Sequence, residues 1–253
     1  MKNLTENQLV QEEEYAFPYH FADFISDKHK CFKFIEPLDL VRIVKEKIKS
    51  LDSKIILDAG CGDGRLCYEL KSDNYKVVGV DYSERAISFA RGFNPELEFF
   101  VQDLKNLNIP YKFDAIVLME VLEHFIPSDI DAILLSLSKV LNDNGKLIIT
   151  VPSDNMELTD KHYQHFNKAS LEATIKPYFK IEELTGYSKR GSKRKRYKFL
   201  RSMGTLFFVF RRSSSWARNY INYIKKYYQN SVSVGTPEEC NGLFAVCVKS
   251  EKD

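Results

Sequence analysis

The sequence predicts an α/β fold, because short apolar runs alternate with amphipathic helical stretches and one of those runs ends in a glycine-rich turn. Each run is brief enough to be a strand buried on both faces, and alternation of this kind implies a parallel sheet with right-handed crossovers. A chain of 253 residues with 44% apolar content can build one substantial core.

In chain order, residues 6–14 read as a short helix, and Tyr15-Ala16-Phe17-Pro18-Tyr19-His20-Phe21 is an aromatic run without strand alternation, expected to form a lid. Pro37 opens an amphipathic helix to about Ser50, with Leu38, Val41, Val44 and Ile48 at helical spacing. Strands are expected at about 54–59, 76–80, 97–101, 113–118 and 145–151, with Asn142-Asp143-Asn144-Gly145 marking the helix end before the fifth. Tyr178 to Tyr187 and Leu243 to Lys249 read as the sixth and seventh strands. The organisation expected is a cap at 1–36, a core at 37–187, a basic aromatic helical insert at 188–241 and a final core strand at 242–253.

The first strand runs into Asp58-Ala59-Gly60-Cys61-Gly62-Asp63-Gly64. Glycines there can take positive φ and let a ligand approach the backbone where a Cβ would collide. Val77-Val78-Gly79-Val80-Asp81 is a second buried strand ending in a carboxylate, which can accept ribose hydroxyls. The glycines run G-x-G-x-G rather than G-x-G-x-x-G, and no Lys-Ser/Thr follows, which excludes a P-loop.

These residues, with Val80-Asp81-Tyr82-Ser83, Gln102-Asp103-Leu104, Phe113-Asp114-Ala115-Ile116-Val117 and Asn144-Gly145-Lys146-Leu147-Ile148-Ile149, resemble the successive motifs of class I S-adenosylmethionine-dependent methyltransferases. The resemblance covers roughly residues 37–190 and returns at the last strand. It implies a Rossmann-like, seven-stranded, mostly parallel sheet with helices on both faces and an antiparallel last strand. It also implies cofactor contacts from Asp58, Gly60, Cys61, Gly62, Asp81, Tyr82, Gln102, Asp103, Leu104 and Met119. Among these, Gly60 and Gly62 would lie beside the amino acid part, Asp81 on the ribose, Asp103 on the adenine amino group and Tyr82 against the adenine face.

Met119-Glu120-Val121-Leu122-Glu123-His124 follows the fourth strand, at the carboxyl edge where open α/β sheets place their ligands. Glu120, Glu123 and His124 stand at i, i+3 and i+4, so one helical turn would align them as ligands for Mg, Mn or Zn, with His162 or His165 across the cleft. The Glu-x-x-Glu-His pattern is similar to that of quinone-pathway O-methyltransferases and of metal-dependent methyltransferases acting on the 2′-hydroxyl of small-RNA 3′ ends. Without a metal, Glu120 and His124 line and orient the cleft, and His124, His162 or His165 could act as base. Nothing resembling Asn/Asp-Pro-Pro-Tyr follows the fourth strand, which speaks against amide or base-amino methylation and for an oxygen acceptor.

Charge is segregated along the chain. The totals, 37 basic and 35 acidic residues, give only +2. Residues 184–237 nevertheless hold thirteen Lys or Arg and no Asp or Glu. Eleven aromatics are interleaved there, and Trp216, Tyr220, Tyr223 and Tyr227 recur at helical intervals expected to form a buried stripe. The cations point to an anionic partner: a small or glycan-like acceptor, an anionic membrane surface or RNA. The acceptor is expected to enter beneath the lid and against this insert.

The five cysteines, at 31, 61, 67, 240 and 247, form no Cys-x-x-Cys pair, which argues against both a disulfide framework and a structural zinc site. No leader pattern opens the sequence and no apolar run approaches the roughly 20 residues of a span, so the cytoplasm is the expected location, with peripheral attachment to a membrane as an addition. The function expected is O-methylation of a small acceptor, the alternatives being metal-dependent RNA 2′-O-methylation or a subunit that binds the cofactor without chemistry.

Overall fold

The computed structural model describes residues 9–10, 12–13, 15–25, 32–210 and 214–250, the side chains of 25, 207–210 and 214–217 excepted. Of the helix expected at 6–14, residues 9, 10, 12 and 13 are described and helical, while Cys31 and the side chain of Trp216 lie outside the described residues.

The sheet has eight strands: β1 (Ile55–Ala59), β2 (Lys76–Asp81), β3 (Glu98–Val101), β4 (Phe113–Met119), β5 (Leu141–Pro152), β6 (Phe179–Lys189), β7 (Val234–Gly235) and β8 (Cys240–Lys249). Their order is β3-β2-β1-β4-β5-β8-β6-β7. The first five pair in parallel, and β8 runs antiparallel to both β5 and β6. The eighth strand, absent from the sequence expectation, is β7, two residues that pair with Gly186 and Tyr187 at the edge. A two-residue strand carries no readable period.

The longer helices among the described residues are α1 (Ile35–Lys49), which precedes β1, and, between strands, α2 (Arg65–Leu70), α3 (Glu84–Phe93), α4 (Pro127–Val140), α5 (Lys168–Ile175), α6 (Ser192–Phe210) and α7 (Ser214–Ser231). The period of two in the strands sorts the core into two layers. Leu57, Val78, Val80, Ile116 and Leu118 pack with α4 and α5 on one face, and Ile56, Val77, Ala115 and Val117 pack with α1, α2 and α3 on the other. Both faces are covered, which is why these strands read as continuous apolar runs. Residues 142–145 lie inside β5, where the register with β4 shifts, and α4 itself ends at Val140.

The helices α6 and α7 form a hairpin that packs on the N-terminal part of α1. Phe32, Ile35, Tyr197, Ile224, Tyr228 and Val232 make a third, smaller core. The buried stripe of α7 is therefore carried by Ile224 and Tyr228, with Tyr220 and Tyr227 half-buried, whereas Tyr223 of the expected stripe is exposed. Aromatic spacing alone did not reveal that an isoleucine sets the face. Glu36 on α1 pairs with Arg194 at 2.6 Å and Arg201 at 3.2 Å, stitching α6 to the core.

Candidate active site

The parallel strands place their carboxyl ends side by side, and the crossover between β1 and β4 opens a crevice there. A cavity of about 420 Å³ occupies it. After β1 the backbone turns sharply: the N–H groups of Gly60 and Cys61 both donate to the Val80 carbonyl, at 2.7 and 2.9 Å. Gly60 has φ +80° and Gly62 φ +54°. A Cβ on Gly60 would stand 2.6 Å from Val121, and one on Gly62 would stand 2.5 Å from the Tyr15 hydroxyl. Gly60 thus needs glycine for space as well as for backbone conformation, and Gly62 for its positive φ.

Asp81 ends β2 and is buried. Its Oδ2 accepts the Gly62 N–H and its Oδ1 the Ser83 N–H, both at 2.9 Å. Burial raises its pKa and these two N–H groups oppose the rise. Each oxygen keeps a lone pair for a further donor. Asp58, also buried, is pushed up to about 7 by desolvation, with the Cys67 thiol at 3.2 Å opposing.

The cavity wall includes Asp58, Gly60, Cys61, Asp81 and Tyr82, and further along Gln102, Asp103, Leu104 and Met119. Gly62 is the one expected cofactor residue that does not line it. Its N–H is committed to Asp81, so it shapes the wall from behind. The N-terminal aromatic run closes one side through Tyr15, Tyr19 and His20. His20 is fixed to the glycine turn, its N–H donating to Asp63 Oδ2 at 3.0 Å and its Nδ1 lying 2.9 Å from Asp63 Oδ1. Arg65 reinforces the contact through Asp23 at 2.5 Å and the ring of Phe24. The sequence offered the aromatic run but no sign of its partner, since Asp63 lies 43 residues away.

At the β4 end the structure regroups the expected polar residues. Glu120 has φ +57°, and the short 3₁₀ turn begins only at Leu122. One helical turn carrying Glu120, Glu123 and His124 is therefore not formed. The Glu120 Oε1 accepts from Tyr187 Oη at 2.6 Å and Thr150 Oγ1 at 3.0 Å. Tyr187 and Thr150 were not among the expected site residues, because neither carries a local motif. Burial raises the pKa of Glu120 against the pull of both hydroxyls.

Glu123 instead joins His124 and His162, the three offering ligand atoms within 4.8 Å of one another. Both carboxylate oxygens of Glu123 are buried without a hydrogen-bond partner. Its pKa is pushed well up, first by desolvation and then by the charge of Glu120. His165 stands outside this group: its Nε2 lies 2.8 Å from His162 Nδ1 and its Nδ1 3.2 Å from the Met156 carbonyl. A carbonyl only accepts, so His165 carries its proton on Nδ1 and receives the His162 Nδ1–H on Nε2. The same argument applies to His124, whose Nδ1 donates to the Lys161 carbonyl at 3.1 Å. Both His124 and His162 therefore keep a bare Nε2. Burial lowers their pKa values, that of His162 to about 4, and holds them neutral.

The cavity is also walled by Phe125 and by Phe34, Pro37, Leu38 and Val41 from α1 and the turn before it, with Lys33 next to Phe34 in the chain. None of the described residues of 188–241 lines it. The basic insert, expected to face the acceptor, packs instead on the N-terminal part of α1, whose residues Pro37, Leu38, Leu40 and Val41 do line the cavity.

Residues 56–145 match the family model described as "Methyltransferase domain". Their ordered motifs sit on the strand ends just described. Over this stretch the chain is similar to the class I S-adenosylmethionine-dependent methyltransferases. Curated relatives of this chain include the ubiquinone biosynthesis O-methyltransferase of Coxiella burnetii, 30% identical over 159 residues, or 59% of this chain and 66% of the relative. The mitochondrial ubiquinone biosynthesis O-methyltransferase of Schizosaccharomyces pombe is 32% identical over 124 residues, 46% of this chain and 44% of the relative. The matched stretch thus spans less than two thirds of the length of both relatives.

Among solved structures, the fold is similar to a TehB-like SAM-dependent methyltransferase from Corynebacterium glutamicum, with TM-score 0.59 and 17% identity over 96% of this chain and 100% of that one. It is also similar to the magnesium protoporphyrin IX methyltransferase of Synechocystis PCC 6803 with bound SAM, with TM-score 0.58 and 21% identity over 76% and 94%.

Proposed function

We propose that this methyltransferase transfers a methyl group from S-adenosylmethionine to a hydroxyl oxygen of a small acceptor with an apolar body. The observation that carries this reading is the continuity of one cavity from the glycine turn and Asp81, past His124, to the apolar wall of Phe34, Pro37, Leu38 and Phe125. Bound in the first part, the cofactor would supply a methyl group already activated on a sulfonium sulfur. The residues present fit it: the glycine turn leaves room where a Cβ would intrude, and Asp81 keeps lone pairs for two ribose hydroxyls. Tyr82, Gln102, Asp103 and Leu104 would flank the base, with Cys61 and Met119 beside the rest. Tyr15, Tyr19 and His20 would close over it as a lid and exclude water.

At the other end the chain has two tasks, alignment and removal of a proton. The apolar wall orients the acceptor, and His124, held by the Lys161 carbonyl, takes the hydroxyl proton on Nε2. Lys33 stands where an anionic group on the acceptor could be met. The names of the Coxiella and Schizosaccharomyces relatives support oxygen as the acceptor atom. Against RNA as the acceptor stands the absence of the insert's cations from the cavity wall among the described residues.

The test is label transfer from methyl-labelled S-adenosylmethionine to a panel of catechols and phenolic acids, with amines and short RNAs alongside. Transfer to a phenolic hydroxyl is expected. Transfer confined to RNA or amines would replace this reading, and cofactor binding without any transfer would favour the non-catalytic alternative.

Glu123 supports a second reading. A buried carboxylate with two unpartnered oxygens takes up either a proton or a cation, and the bare Nε2 atoms of His124 and His162 suit Mg, Mn or Zn as further ligands. A divalent ion held there would acidify the acceptor hydroxyl, and His124 would then be a ligand rather than the base. Turnover that survives EDTA removes this reading. Loss with EDTA and recovery with one of the three ions supports it.

A further inference from the structure

The described cations of residues 184–237 fall into two groups, apart from Arg196, which lies over the Tyr227 ring. Arg194 and Arg201 pair with Glu36, Lys189 pairs with Glu239 at 2.6 Å, and Arg190 reaches Asn155. The two arginine pairs fasten the hairpin to α1, and Lys189 and Arg190 brace the chain between β6 and α6. Lys193, Lys195, Lys198, Arg218, Lys225 and Lys226 are exposed and, among the described residues, have no carboxylate partner. A solvated helical face ordinarily mixes both signs, and here no carboxylate occurs in the segment at all.

The exposed face of α6 is not only cationic. Lys195, Lys198, Phe199, Ser202 and Leu206 stand at i, i+3, i+4, i+7 and i+11, which places them along one side of the helix. Phe199 is 64% and Leu206 55% exposed. In sequence, Phe207-Phe208-Val209-Phe210 follows directly and Arg211-Arg212 comes next. Large apolar side chains set in water among unpaired lysines are the pattern of a helix lying in a bilayer interface, with apolar groups among acyl chains and cations at the headgroups. A nucleic acid offers less to this face: an aromatic ring can stack on a base, but Leu206 has no π-face and gains nothing from phosphate. No helix of the described residues is long and apolar enough to cross a membrane, so the contact is one of surface.

We infer that the outward face of the α6–α7 hairpin docks this methyltransferase on an anionic phospholipid surface, through Lys195, Lys198, Phe199 and Leu206. The inference is independent of the acceptor chemistry, since these residues do not line the cavity. It places the protein beside the source of an acceptor with an apolar body, α1 being shared between the hairpin and the cavity wall.

Flotation of the full chain with vesicles of phosphatidylcholine, with and without about a third phosphatidylglycerol, tests it. Binding to the anionic vesicles and little to the neutral ones is expected, weakening as salt rises. The charge reversal Lys195→Glu with Lys198→Glu should lower the partition coefficient at least about tenfold, at roughly 1 kcal/mol per cation near the surface. Phe199→Ser with Leu206→Ser should remove the binding that persists in high salt. Cofactor titration serves as the folding control, and its heat should be the same in all three proteins. Equal binding to both vesicle types overturns the charge argument. No binding to either, or retention of RNA at low salt without binding to anionic vesicles, overturns the inference.

Discussion

At the β1–β2 edge, the polar groups of the site are held by backbone close in sequence. Asp81 takes the N–H groups of Gly62 and Ser83, 19 and two residues away. At the β4–β5 edge they are held across long separations: Glu120 by Tyr187, 67 residues on, and His124 by Lys161, 37 residues on. The first arrangement is a cradle made by the local path of the chain and suits a ligand common to a whole family. The second is assembled from elements that can vary separately, which suits the part of a site that chooses an acceptor and moves its proton.

The comparison makes graded predictions. The largest effect is expected at the assembled edge, where His124→Ala should lower kcat by about 10²–10⁴ with a phenolic acceptor while leaving cofactor affinity intact. Single-turnover label transfer measures it. A parallel loss of cofactor affinity would mean that the two edges are not separable.

The cradle should instead show its strain in stability. Asp58 has a folded pKa raised to about 7 by burial, so its contribution is fully present below the unfolded value near 3.8 and is lost as pH rises through 7. Without ligand, urea unfolding of the wild type should therefore weaken between pH 4 and 8. Asp58→Asn should remove about 4 kcal/mol of that dependence.

A smaller loss, of about 1–3 kcal/mol, is expected for Tyr187→Phe, which takes a hydroxyl donor from buried Glu120. Smallest is Glu36→Gln, which cuts the two arginine links between α1 and α6 and should cost about 1 kcal/mol, read in the same urea assay. An effect of Glu36→Gln as large as that of Tyr187→Phe would show that the hairpin is part of the site's framework rather than an attachment to it.

The same contrast explains what could be read from the sequence. The first five strands and the turn from Asp58 to Gly64 are legible because burial on both faces and the demand for glycine act over a few residues. The grouping near β4 was misread because the i, i+3, i+4 spacing presumes a helix from Glu120 onward, and its φ of +57° breaks that register. Glu120 turns toward Thr150 and Tyr187 and leaves the group, and of the two histidines expected across the cleft it is His162, not His165, that joins Glu123 and His124. The stripe on α7 shifted because Ile224, not Tyr223, meets Phe32 and Ile35. Side chains that meet across dozens of residues leave no local period.

The account rests on the turn after β1 and the carboxylate of Asp81 forming a site for S-adenosylmethionine. Calorimetric titration of that cofactor into the wild type and into Asp81→Ala, each with its folding verified by circular dichroism, tests this directly. One saturable site in the wild type, weakened at least about tenfold in the variant, is the expected result. No heat in the wild type, or an isotherm that the substitution leaves unchanged, would contradict it.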